Sequence, residues 1–180
     1  MTVFAPNGAS ATRTINVTVT APPVSSGTLL FPLRGQMAYS STVTTNGQRC
    51  DYVAPMNTPV YAPADGSVSF RQTFNTINGV RTLTSYGNSI QFRSSCGRYT
   101  MVLAHLNSFN GVTLEIPSSR TARQSANSGT STFTITSRTV RQGDLIGYSG
   151  TTGNSTGAHL HLEIYSYGSA VNPVNVFRTW

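Results

Sequence analysis

Apolar and polar residues alternate with period two along much of this chain, the pattern of strands with one buried face. In Thr14-Ile15-Asn16-Val17-Thr18-Val19-Thr20 the three aliphatic residues fall on one side. A strand before it, reversed at Asn7-Gly8, completes a strand–turn–strand reading of Thr2–Ala21. From Leu29 onward strand signals recur at short intervals. Thr58–Ala62 ends at the turn Pro63-Ala64-Asp65-Gly66 and is followed by Ser67–Phe70. Asn78-Gly79 and Gly87-Asn88 are expected to punctuate further strands. Ser89–Arg93 and Arg98–Leu106 read as the arms of a hairpin turning at Ser94–Gly97, and Ala158–Ile164 as the closing strand. Ile116–Thr130 has no period and is rich in Ser, Thr and Arg, so it reads as a long surface loop. The chain is expected to be all-β, built from short antiparallel strands and tight turns.

Composition supports this, because Thr, Ser, Asn and Gly are abundant and helix-forming runs of Ala, Leu, Glu and Lys are missing. The 180 residues allow one well-formed core and a small appendage. Residues 1–21 cannot bury a core alone and resemble the last strands of an immunoglobulin-like module. Residues 22–28 have linker composition, and 29–180 form the main domain. The other reading of the amino-terminal segment is a hairpin paired onto the main sheet.

Twelve basic residues, all Arg, stand against five acidic ones, a formal charge of +7. They are scattered from Arg13 to Arg178 with neither a basic run nor an aromatic–Arg platform, which argues against nucleic-acid binding. Diffuse attraction to an anionic envelope fits better. No run of about 18 apolar residues is present, so no membrane span is encoded. Met1–Ser10 lacks the charged-then-apolar order of a signal peptide; an export signal, if one exists, is expected outside these residues. Cys50 and Cys96 are either bridged or two separate thiols, and the hairpin places Cys96 at a turn far from the middle of the sheet.

Histidine occurs three times, at positions 105, 159 and 161. His159 and His161 lie two apart in a strand, so both imidazoles project to one side while Leu160 and Leu162 face the core. Such a pair can bind a metal, or divide metal binding and proton transfer between them; strand His pairs also occur as solvated surface residues.

Three blocks give these residues a context. Asp51-Tyr52-Val53-Ala54-Pro55 precedes Thr58–Val68; Gly87-Asn88 leads to Val102-Leu103-Ala104-His105-Leu106; Gly143–Gly147 and Ser149–Gly153 lead to Ser155–Ile164. In this order they resemble the lysostaphin/LytM-type (M23) zinc metallopeptidase domain, over most of residues 30–175. The resemblance implies a small antiparallel β domain with a central groove that acts on peptidoglycan peptides. It implies that Asp51 and His161 are metal ligands, and that His105 and His159 flank the metal-bound water and the oxyanion as catalytic groups.

One departure is specific. The family has a His four residues before the Asp, and here that position is Gly47. Catalytic zinc ordinarily takes three protein ligands, so the Zn²⁺ site is expected to be incomplete; Gln48 would be a poor substitute. A small Gly of the family is replaced by Arg49, which is expected either to pair with Asp51 where the metal would sit or to turn to solvent. Cys50 should face away from the site. Glu163 is expected on the face opposite His161, without a catalytic role, and Asp65 and Asp144 are expected to be structural turn residues.

Three functions follow from these readings. The first is a degenerate cell-wall domain that binds peptidoglycan or regulates another wall hydrolase or envelope partner. The second is an active zinc endopeptidase, and the third a structural module of a surface protein. All three place the chain in the bacterial envelope, at the cell surface or in the periplasm.

Overall fold

A computed structural model describes residues 2–4, 10–12, 28–35, 49–122, 129–178 and 180. Strands β1 (Thr2–Phe4) and β2 (Ser10–Thr12) pair antiparallel with each other. The Asn7-Gly8 turn, the strand Thr14–Thr20 and the linker up to residue 27 lie outside the described residues.

The main domain runs β3 (Leu29–Leu30), β4 (Arg49–Val53), β5 (Pro59–Tyr61), β6 (Gly66–Ile77), β7 (Val80–Ser94), β8 (Tyr99–Leu106) and β9 (Ser108–Phe109). It continues with β10 (Ser131–Val140), β11 (Leu145–Tyr148), β12 (His159–Ser166), β13 (Ser169–Ala170), a single 3₁₀ turn at Pro173–Asn175 and β14 (Phe177–Arg178). The all-β expectation holds. The large sheet is antiparallel in the order β10-β6-β7-β8-β12-β13, with β4 also paired to β12. A three-stranded sheet, β5-β11-β9, packs beside it, and β3 and β14 form a parallel pair. No described helix is long and apolar enough to cross a membrane.

Alternation divides the large sheet into two unlike faces. Val68 and Phe70 of β6, Ile90 and Phe92 of β7, Met101 and Leu103 of β8, and Leu160, Leu162 and Ile164 of β12 are fully buried. They meet Val60, Ile146 and Phe109 of the smaller sheet and Leu29, Phe31 and Leu33 from the start of the domain. Each such aliphatic or aromatic side chain contributes roughly 1.5–3 kcal/mol on burial. The intervening positions point the other way and are mostly polar, Val102 and Ala104 of β8 being exceptions, so that face can carry chemistry. Cys50 joins the core at 1% exposure, Cys96 is exposed at the β7–β8 turn, and both thiols are free.

Two sequence-level readings change. Ser67–Phe70 is only the start of β6, which continues to the Asn78-Gly79 turn. Gly87-Asn88 does not end a strand but lies inside β7, where the register slips between Asn88 and Ile90. The reason is a close approach. Gly87 has φ 58°, and a Cβ there would lie 2.5 Å from the Thr152 carbonyl carbon and Oγ1. Residues 110–122 form a loop, as expected for the described part of Ile116–Thr130, and Gln72 ties it to the sheet. Fully buried Gln72 donates to Asn88 Oδ1 at 2.8 Å and to the Ile116 carbonyl at 2.7 Å, while its Oε1 accepts from the Glu115 and Ile116 amides. Asp65 and Asp144 accept backbone N–H bonds from Gln142 and Arg141, as turn residues do.

Gly87→Ala should destabilise the domain by about 2 kcal/mol or more, since left-handed backbone and steric overlap add. Urea unfolding followed by circular dichroism measures this directly.

Candidate metal and catalytic site

Pairing of β4 with β12 places Asp51 directly opposite His161, and pairing of β12 with β8 places Ala104 on the other side of His161. On β4 the burial alternates, with Cys50 and Tyr52 buried and Asp51 on the polar side. The same alternation turns His159, His161 and Glu163 to that side of β12.

His161 Nδ1 lies 2.7 Å from Asp51 Oδ1, and His159 Nε2 lies 3.7 Å from the same oxygen. The ring centroids of His105 and His159 are 4.8 Å apart, and those of His105 and His161 5.5 Å. One ligand atom from each of the three imidazoles falls within 4.8 Å of the others. All four residues singled out from sequence, Asp51, His105, His159 and His161, therefore share one cleft.

His105 is held by backbone geometry. It adopts φ 61°, uncommon outside Gly and costly for a bulky side chain. Its Nδ1–H donates to the Thr152 carbonyl at 2.8 Å, which leaves Nε2 for the cleft. Thr152 is fixed in turn, its Oγ1 donating to the Leu106 carbonyl and accepting from the Asn88 amide. Burial pushes the His105 pKa down to about 4, so the ring is neutral near pH 7. His159 is oriented in the same way, Nδ1–H donating to the Gly157 carbonyl at 2.8 Å.

Sequence reasoning missed Glu163, and its expected place is corrected. Residues 161 and 163 are two apart on one strand and share a face, so the rule that paired His159 with His161 also points to Glu163. Its Oε1 lies 3.2 Å from His161 Nε2 and accepts from the Tyr86 hydroxyl at 2.7 Å, while Oε2 accepts from Tyr165 at 2.8 Å. Burial raises the Glu163 pKa, but these three donors outweigh it and hold it at about 2. Burial lowers the His161 pKa, yet two carboxylates, one at each ring nitrogen, raise it overall. Asp51 is pushed up by burial and brought below its usual value by the His161 hydrogen bond and the surrounding imidazoles.

Arg49 does not occupy the metal position, which corrects a second expectation. Its Nε lies 3.3 Å from Glu163 Oε1, and its side chain stays half-exposed. Position 49 lies opposite Glu163 in the register, so the nearest carboxylate across the strands is Glu163 rather than Asp51. Gly47 and Gln48 lie outside the described residues.

The donor set suits a zinc-type ion chemically, since one carboxylate oxygen and imidazole nitrogens converge. Ligand atoms around tetrahedral zinc lie roughly 3.3 Å apart for bonds of about 2 Å. The distances from Asp51 Oδ1 to His161 Nδ1, 2.7 Å, and to His159 Nε2, 3.7 Å, bracket that spacing. Glu163 on His161 Nε2 is the outer carboxylate that commonly orients a metal-binding imidazole. Among the described residues, a third donor is reached only by enlisting His159 or His105.

Known proteins resemble the chain in sequence and in fold. Residues 122–173 match the model of peptidase family M23. The chain is 35% identical over 126 residues to the DD-carboxypeptidase/endopeptidase Mpg of Neisseria meningitidis, covering 70% of this chain and 21% of that protein. It is 31% identical over 148 residues to the peptidoglycan DD-endopeptidase ShyC of Vibrio cholerae, covering 82% of this chain and 25% of that protein. The chain thus spans a quarter or less of the length of these curated relatives. The fold resembles the crystal structure of an M23 peptidase candidate from Pseudomonas aeruginosa, with a TM-score of 0.52 at 22% identity, over 84% of this chain and 50% of that one. The chain belongs to peptidase family M23.

A pH prediction follows from Glu163. Its pKa is lower in the folded state than the ordinary 4.5, so its contribution to stability is present above pH 4.5 and lost as pH falls toward about 2. The metal-free wild type should lose thermal stability across that window. Glu163→Gln should show a flatter profile there; parallel profiles would contradict the assignment.

Proposed function

We propose that this domain binds peptidoglycan peptides in the bacterial envelope without hydrolysing them, and so recruits or regulates a wall hydrolase or an assembly partner. Asp51 and His161 serve as metal ligands in this reading, and His105 and His159 as the groups that would handle protons. One observation carries it: the position four residues before Asp51 is Gly47, which offers no donor. Zinc held by Asp51 and His161 alone is held weakly, because a catalytic zinc normally needs three protein ligands. Zinc held more firmly by adding His159 takes away an imidazole that hydrolysis requires as acid or base. Either arrangement leaves the reaction short of one group, while the polar cleft for a peptide remains. The ShyC name supports peptidoglycan as the polymer. Residues 22–28 as a linker after an immunoglobulin-like segment fit a module within a longer envelope protein.

The second reading, an active zinc endopeptidase, is favoured by the convergence of Asp51 with all three imidazoles.

Purified sacculi separate the two. The domain should be retained on sacculi and release no soluble muropeptides with or without added Zn²⁺; chelator-sensitive release would establish the enzyme. Replacing Gly47→His together with Arg49→Gly should raise zinc affinity on the order of 100-fold, read by competition with a chromophoric chelator. An unchanged affinity would mean that position 47 is not the missing ligand.

A further inference from the structure

The polar face of the large sheet continues past the metal cluster into a second feature. Glu163 on β12, Val102 on β8 and Gln91 on β7 are register partners in one row. Val102 and Gln91 of this row line a recess of about 100 Å³ together with Arg71, Thr73, Tyr86 and Ser89 among others. Tyr86 joins it to the cluster, since its hydroxyl donates to Glu163 and its ring lies 5.8 Å from that of His161.

Arg71 is the only charged side chain in the lining. One terminal nitrogen donates to Gln91 Oε1 at 3.2 Å, which pins the guanidinium in place. Its Nε–H is buried and has no hydrogen-bond partner among the described residues. No carboxylate among the described residues pairs with Arg71, whereas Arg49 on the same face is matched by Glu163. A buried, unmatched guanidinium donor is costly unless an acceptor is supplied. The group that best supplies one is a carboxylate, because its two oxygens match the planar fork of Arg.

We propose that this recess is a subsite for a free carboxylate of a bound peptide, with Arg71 as the recognising cation and Gln91 as its positioning partner. The proposal rests on the reading of the cleft as a peptidoglycan-peptide groove and adds what that reading leaves open, the charge of the ligand and where it is read. From β12, which carries His161 and Glu163, to β6, which carries Arg71, the sheet crosses three inter-strand steps, about 14 Å at roughly 4.8 Å each. That is about four residues of extended peptide at roughly 3.3 Å per residue. A peptide crossing the Asp51–histidine cluster would thus deliver a carboxylate to Arg71 about four residues away.

Muropeptides released from sacculi by a muramidase provide the probe, used as isolated and after conversion of their carboxylates to carboxamides. Binding is measured by calorimetry on the full chain in the presence of chelator, so no turnover intervenes. The unmodified preparation should bind the wild type about tenfold more tightly than the amidated one, as expected for one charge-assisted contact. Arg71→Gln should bring the two within about twofold. Gln91→Glu, a change at an exposed position that places a carboxylate against Arg71, should do the same should the first variant fold poorly. Arg98→Gln, which removes the same charge at the β7–β8 turn, should keep the tenfold preference. Equal binding of the two preparations by the wild type, or a preference that survives in the folded Arg71 and Gln91 variants, overturns the subsite and leaves the peptide-groove reading intact. Absence of binding to either preparation overturns both.

Discussion

The register between β4 and β12 is the constraint on which the site depends. A one-residue slip in an antiparallel pair would send Asp51 into the core and bring Cys50 to the cleft. The buried side fixes the register, because Cys50, Tyr52, Leu160 and Leu162 must all remain inside. With that side set, Asp51 faces His161 at hydrogen-bonding distance and Arg49 faces Glu163. Hydrophobic packing on one face thus places charge on the other.

What the polar face assembles is a set of groups that a metal centre would use. An outer carboxylate orients His161, backbone carbonyls orient His105 and His159, and Thr152 links β7 to the loop before β12. Each of these costs something in a domain that needed only to fold. Glu163 is 2% exposed, and His105 sits in left-handed backbone. In the proposed reading these features serve peptide binding, and what hydrolysis lacks is a donor side chain at position 47.

Much of this was legible in the sequence, and the failures have physical causes. The period-two alternation and the turn residues were enough for an all-β domain, and three spaced blocks were enough to bring Asp51, His105, His159 and His161 together. Gly87-Asn88 misled because a glycine inside a strand can mark a close backbone approach as readily as a turn; the partner there, Thr152, is distant in sequence. Of the two expectations for Arg49, pairing with Asp51 fails because side-chain pairing follows cross-strand register, which a single strand does not reveal. Glu163 was visible in principle, since the alternation that pairs His159 with His161 extends one step further. Gln72 was not, because its partners lie on a loop with no periodic signal.

Zinc content after purification without chelator is the most direct measurement of the central claim. Elemental analysis of the gel-filtered protein should find well below one equivalent per chain, because the proposed ligands Asp51 and His161 alone hold zinc weakly. A full equivalent that survives gel filtration would contradict the two-ligand site on which the account rests.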